Sequence, residues 1–201
     1  MKKLLLPFVL FCLSFAALPA QELSAEDRAA GLAHLEKTRA GVLAAAEGLS
    51  DAQLNFKPAP EKWSVAQVLE HIASAEDMLM GLVQGQALTA PPRPEGEDVK
   101  AIDQLILTAI PDRSQKRSAP EPLIPANRYG SAAEALKHFV ESRAKTIALM
   151  KESAELRAHA SDSPLGKKLD PYQWLLFISA HSERHTKQML EVKAHPDFPK
   201  G

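Results

Sequence analysis

Apolar positions recur at intervals of three and four along most of this chain, the period of a helix buried on one face. No stretch alternates convincingly with the period of two expected of a strand. Four long helical patterns stand out. The first runs from about Ser24 to Ala46, with Ser24 as N-cap, Asp27 at the third helical position, a loose stripe of Leu32, Leu35, Val42 and Leu49, and Gly48 as a stop. The second begins at Ser64, where Gln67 completes a capping box and Trp63 and Val68 can form a hydrophobic staple. Its stripe is Val68, His71, Ala75, Met78 and Leu82, closed by Gly85. The third starts at Ser131 with Glu134 three residues on, carries Ala135, Leu136, Phe139, Val140, Ile147 and Met150, and is expected to end near His159. The fourth has Asp170 as N-cap and Pro171 at its first position, then Trp174, Ile178, His181, His185, Gln188/Met189 and Val192.

Between the second and third patterns, residues 86 to about 128 hold seven prolines, Pro91, Pro92, Pro94, Pro111, Pro120, Pro122 and Pro125, which exclude a long regular helix. One short helix, about Val99 to Ile110, interrupts this crossover. The expected fold is therefore all-α: one four-helix bundle with a long Pro-rich crossover between helices 2 and 3. No internal repeat or second domain is visible.

Residues 1–20 stand outside that pattern. Lys2 and Lys3 precede a nearly unbroken apolar run from Leu4 to Leu18, and Pro19-Ala20 precedes Gln21, the layout of a secretory signal peptide cleaved after Ala20. The run is short for a membrane span. Cys12 follows bulky Phe11 rather than a small residue, which argues against a lipid anchor. The expectation is an exported protein, periplasmic or secreted, whose domain is 21–201 and which has no stable membrane insertion after cleavage. Cys12 is the only cysteine, so the mature chain would have no disulfide, zinc–thiolate site or thiol nucleophile. Losing Lys2 and Lys3 takes the 24 basic residues to 22 against 25 acidic ones, a net charge of −3. No basic patch interleaved with aromatics suggests nucleic acid.

The chemistry lies in the histidines. His181 and His185, one turn apart, face the same side of the fourth helix, and His71 takes an apolar-face position on the second. Three neutral imidazoles can hold one divalent ion and leave positions open for water or substrate, zinc and nickel being the best-suited metals. The alternative is three packed histidines, each satisfied by a hydrogen bond. The pattern is not that of a zincin, which needs His-Glu-x-x-His. Glu183 lies about 200° round the helix from His181 and should face solvent, paired with Lys187. His34 is a weaker candidate for a fourth ligand. His138 belongs at a stripe edge, and His159 and His195 near helix ends. Glu70 and Glu76 flank His71 and are expected on exposed helix faces, the alternative being that they support the ligand histidine as hydrogen-bond partners. Ser64 and Ser131 are caps, outside any GxSxG context, and no Gly-rich phosphate loop is present.

Leu54-Asn-Phe-Lys-Pro58, Glu61-Lys-Trp63-Ser64-Val-Ala-Gln-Val-Leu-Glu-His71-Ile and His181-Ser-Glu-Arg-His185-Thr-Lys-Gln188-Met together resemble the DinB-like superfamily of DinB/YfiT-type four-helix bundles, over about Ala25 to Val192. The resemblance implies one metal-ligand histidine on the second helix and a His-x-x-x-His pair on the fourth, positions that His71, His181 and His185 match. It also implies a metalloenzyme acting on a small-molecule substrate, as a metal-dependent thiol S-transferase, and a homodimer; the chemistry of an open three-histidine metal site equally allows a hydrolase with no thiol requirement, and the sequence does not choose between the two. Thiol-transferring members act in the cytoplasm, which sits poorly with a signal peptide. The alternative function is a non-catalytic metal- or ligand-binding, or purely structural, bundle of the cell envelope. No carboxylate is placed by spacing beside the three histidines, so no general base is assigned.

Overall fold

The computed structural model describes residues 22–200, so the expected signal segment, residues 1–20 with Cys12, lies outside it. Four long helices form the bundle: α1 (Ala25–Ala46), α3 (Val65–Gly85), α5 (Ala132–Glu152) and α6 (Pro171–Lys193). Two shorter helices join them, α2 (Asp51–Asn55) and, in the crossover, α4 (Val99–Ala109). The caps lie where the sequence placed them. The side chains of Ser24, Ser64, Ser131 and Asp170 accept from the N–H groups of Asp27, Gln67, Glu134 and Gln173, satisfying donors that have no partner within the helix. Just beyond α1, Gly48 adopts φ +70°, a left-handed conformation in which a β-carbon would be strained.

The core has two apolar clusters. At one end Val42 and Ala45 of α1, Val65 to Ala73 of α3, Ala135 and Phe139 of α5, and Met189 and Val192 of α6 pack together. At the other, Leu35, Leu79, Val83, Ile102, Ile106, Ile147 and Met150 surround Trp174, Leu175 and Ile178. These memberships fix the helix directions. The N-terminal halves of α3 and α5 share one cluster with the C-terminal halves of α1 and α6, so α3 runs parallel to α5 and α1 parallel to α6. Because α3 and α5 run the same way, the chain must travel the length of the bundle between them. That is the reason for the long crossover.

Three expectations are corrected. Helix α5 ends at Glu152, not near His159. Beyond it the chain turns inward at Leu156 and Arg157, and Arg157 is buried against Asp103 and Asp170. His159 pairs with Pro92 in an isolated β-bridge and closes no helix. A two-residue antiparallel pair, β1 (Ser161–Asp162) with β2 (Lys168–Leu169), is the small sheet that the sequence did not show. Met78, expected in the α3 stripe, is exposed, and Leu79 and Val83 take its place in the core.

Between the two clusters lies a buried polar layer. Arg143 is fully buried and donates to both Glu76 carboxylate oxygens at 2.7 and 2.8 Å, to Thr38 at 2.8 Å and to Ser182 at 2.7 Å. Thr146 adds a 2.7 Å bond to Glu76. Every charge in this layer is paired, which burial demands.

Candidate metal centre

His71 on α3 and His181 and His185 on α6 meet across the seam between these helices, at the height of the polar layer. Their Nε2 atoms converge: His71 lies 3.1 Å from His185 and 3.3 Å from His181. Among the described residues these three form the His, Cys, Asp or Glu group whose ligand atoms all lie within 4.8 Å of one another. His71 and His185 are buried, and His181 is half-buried.

At His71 and His185 the other ring nitrogen settles which way the lone pair points. His71 Nδ1 lies 2.9 Å from the carbonyl oxygen of Leu123, which can only accept, so Nδ1 carries the proton and Nε2 a lone pair. His185 Nδ1 lies 2.8 Å from the Gln188 side-chain oxygen. The same oxygen faces the Arg113 guanidinium at 3.4 Å, and arginine only donates, which identifies that amide atom as the oxygen. His185 Nε2 therefore also carries a lone pair. Two lone pairs face each other across 3.1 Å with no proton between them. A tetrahedral ion with metal–nitrogen bonds of about 2.0–2.1 Å holds its nitrogens about 3.3 Å apart. The donor set fits a divalent ion in chemistry and in spacing.

The surroundings keep the rings neutral, as ligands must be. Burial, reinforced by His71 and by the Arg184 and Arg143 charges, pushes His181 down to about 3. Burial, then the neighbouring histidines and Arg113, holds His185 well below the ordinary range, and burial lowers His71. Trp63 packs beside His71, with ring centroids 4.9 Å apart.

The other histidines stay apart from this cluster. His34 Nδ1 contacts Ser179 Oγ at 2.6 Å and its Nε2 lies 3.5 Å from Glu183, so its ring is engaged away from the triad. Glu183 pairs with Lys187 at 2.9 Å, as the helix geometry required. His138 meets Asp77 at the surface and stacks near Tyr129, and His195 follows the end of α6.

Glu70 and Glu76 are not exposed, contrary to expectation. They are 6% and 2% accessible. Glu76 is the partner of Arg143. Glu70 accepts from the backbone N–H groups of Ala126, Asn127 and Arg128 and from the Arg128 guanidinium. Burial alone would raise the Glu70 carboxyl, but these donors outweigh it and hold it low. Arg143 stands four residues from both Phe139 and Ile147, and that apolar-stripe position was the available sign of a buried charge. Nothing in the sequence marked the Leu123 carbonyl, because a backbone acceptor has no residue signature.

Residues 34–189 match the DinB superfamily. A curated relative, the uncharacterized protein YuaE of Bacillus subtilis (strain 168), is 31% identical over 148 residues, which are 73% of this chain and 87% of YuaE. Among solved structures, YfiT from Bacillus subtilis, described as a probable metal-dependent hydrolase with an unusual four-helix bundle topology, superposes with a TM-score of 0.53 at 18% identity, over 88% of this chain and 91% of YfiT. At that identity the likeness speaks for the fold. On the family match and the YuaE identity, the chain belongs to the DinB superfamily.

Proposed function

We propose that the protein is a metal-dependent hydrolase in which His71, His181 and His185 hold one divalent ion, zinc or nickel. The observation that carries this reading is the convergence of the three Nε2 atoms, with the lone pairs of His71 and His185 opposed at 3.1 Å. Opposed lone pairs are repulsive unless a cation lies between them. Bound there, a divalent ion supplies Lewis-acid activation of a water and of the substrate oxygen.

The chain's own residues do the rest. The Leu123 carbonyl and the Gln188 amide fix ring orientation and tautomer. Burial keeps the rings unprotonated, with the Arg184 and Arg143 charges adding to it at His181 and the Arg113 charge at His185, and Trp63 screens one side of His71. Neither ring partner is a carboxylate, so the protein leaves the charge of a bound dication to be balanced by water-derived or substrate-derived anions. Hydrolysis is favoured over thiol transfer because a structural neighbour is described as a probable hydrolase and because the expected export would separate the chain from cytosolic thiols.

The test compares metal content in the wild type and in the His181→Ala/His185→Ala variant, then hydrolysis of ester, amide and phosphoester probes with and without added thiol. About one ion per wild-type chain, absent from a folded variant, with thiol-independent turnover, is the expected result. Strict thiol dependence would replace hydrolase by transferase. No ion after reconstitution with zinc and nickel would leave a structural bundle.

A further inference from the structure

The crossover grips the bundle at residues adjacent to the three histidines. On the α6 side, Arg184 donates to the carbonyl oxygens of Asp112 and, at 2.8 Å, Gln115, while Lys187 reaches Pro111 at 3.4 Å. Arg113 reaches back to α6, with two 2.6 Å bonds to Glu191 and one 3.4 Å contact to Gln188. On the α3 side, Glu70 holds residues 126–128 and His71 donates to Leu123. Two of the three ring orientations therefore depend on the crossover: His71 through its backbone, and His185 through a Gln188 oxygen shared with Arg113. Residues 116–122 run from one anchorage to the other across the α3/α6 seam, where the three Nε2 atoms meet.

We propose that Gln188 and Arg113 are positioning residues that tie His185 to the crossover, so that metal binding and ordering of residues 112–123 are a single coupled event. This rests on the metal assignment above. The physical reason is reciprocity. If an ordered crossover improves ligand geometry and so affinity, a bound ion must stabilise the ordered crossover by the same factor. Neither residue would touch the ion. Gln188 acts through the His185 ring, and Arg113 acts by holding the Gln188 amide with its oxygen towards that ring.

Limited trypsin digestion reads the coupling directly, because Arg113, Lys116 and Arg117 are cleavage points within the crossover. Zinc titration of the purified protein, with and without protease, is compared for wild type, Gln188→Ala, Gln188→Glu and Arg113→Ala. Zinc is expected to slow cleavage at residues 113–117 in the wild type. Gln188→Ala should weaken zinc binding roughly 10- to 100-fold, the usual effect of losing a ligand's hydrogen-bond partner, and lose the protection at matched zinc. Gln188→Glu, which retains an acceptor, should bind zinc as well as the wild type. Arg113→Ala should lower affinity less and accelerate cleavage at Lys116 and Arg117. Zinc uptake that is indifferent to Gln188, or that leaves crossover cleavage unchanged, overturns the coupling and leaves the metal centre standing. Absence of zinc uptake by the wild type overturns both.

Discussion

A histidine on an apolar helix face has two ways to be tolerated: a hydrogen bond or an ion. At His34 the structure shows the first, with Ser179 and Glu183 at its two nitrogens. At His71 and His185 a hydrogen bond satisfies one nitrogen and aims the other at a second lone pair. The lowered proton affinity of these rings has a consequence for the metal-free protein. Their folded-state values lie below the ordinary 6.5, with His181 near 3. The unfolded chain therefore binds more protons across that interval, and stability that is complete above about pH 6.5 declines as pH falls towards 3. His34, lowered mainly by burial, acts in the same sense. The urea midpoint of the apoprotein is expected to fall between pH 7.5 and pH 5, above the range in which most carboxylates protonate. The slope should flatten in the His181→Ala/His185→Ala variant. An equal slope in both proteins would contradict this account.

At the scale of the element, caps and stripes decide where helices start, but close contacts decide how they pack. Gly31 of α1 has no special backbone conformation, and an alanine there would gain up to about 1 kcal/mol in helix propensity. A β-carbon at this position would nevertheless lie 2.8 Å from Met150 Cε and 2.8 Å from Tyr172 Cε2. The methionine tip can move, whereas the Tyr172 ring is pinned by a 2.8 Å bond to the Asp27 carbonyl and by the Arg157 guanidinium over its face. Gly31→Ala should therefore be destabilising, by about 1–3 kcal/mol, the range for overpacking. Equilibrium urea unfolding would measure it, and a stabilised variant would mean that α1 approaches α5 and α6 less closely than described. The same logic explains the early end of α5. Burying Arg157 among carboxylates requires the chain to leave the helix and turn back beneath α6.

At the scale of the whole molecule, the parallel pairs α1/α6 and α3/α5 require a crossover that runs the length of the bundle, and it lies along the α3/α6 seam. A long connection thus serves as the wall of the site rather than as spare chain. No helix among the described residues is long and apolar enough to cross a membrane. We propose export on the strength of residues 1–20. N-terminal sequencing of protein recovered from the cell envelope or medium is expected to begin at Gln21, and recovery of an intact Met1 from the cytosol would remove the proposal.

The periodicity of apolar residues was enough to place α4 and the starts of the four long helices with their N-caps, because those features depend on neighbours within one turn. It was also enough to single out His71, His181 and His185, since a histidine in an apolar stripe is visible at helical spacing. The burial of Glu70 and Glu76 was not visible, because their partners lie 56 or more residues away on other elements. Nor were the parallel pairing of the helices, the tautomers of His71 and His185, or the grip of Arg184 on the crossover. Each of these depends on a backbone carbonyl or a side chain brought close by packing alone. The sequence by itself determined which residues could be ligands. Only the tertiary structure decided that their Nε2 atoms meet at one point, because convergence is a property of two helices and a crossover folded against one another.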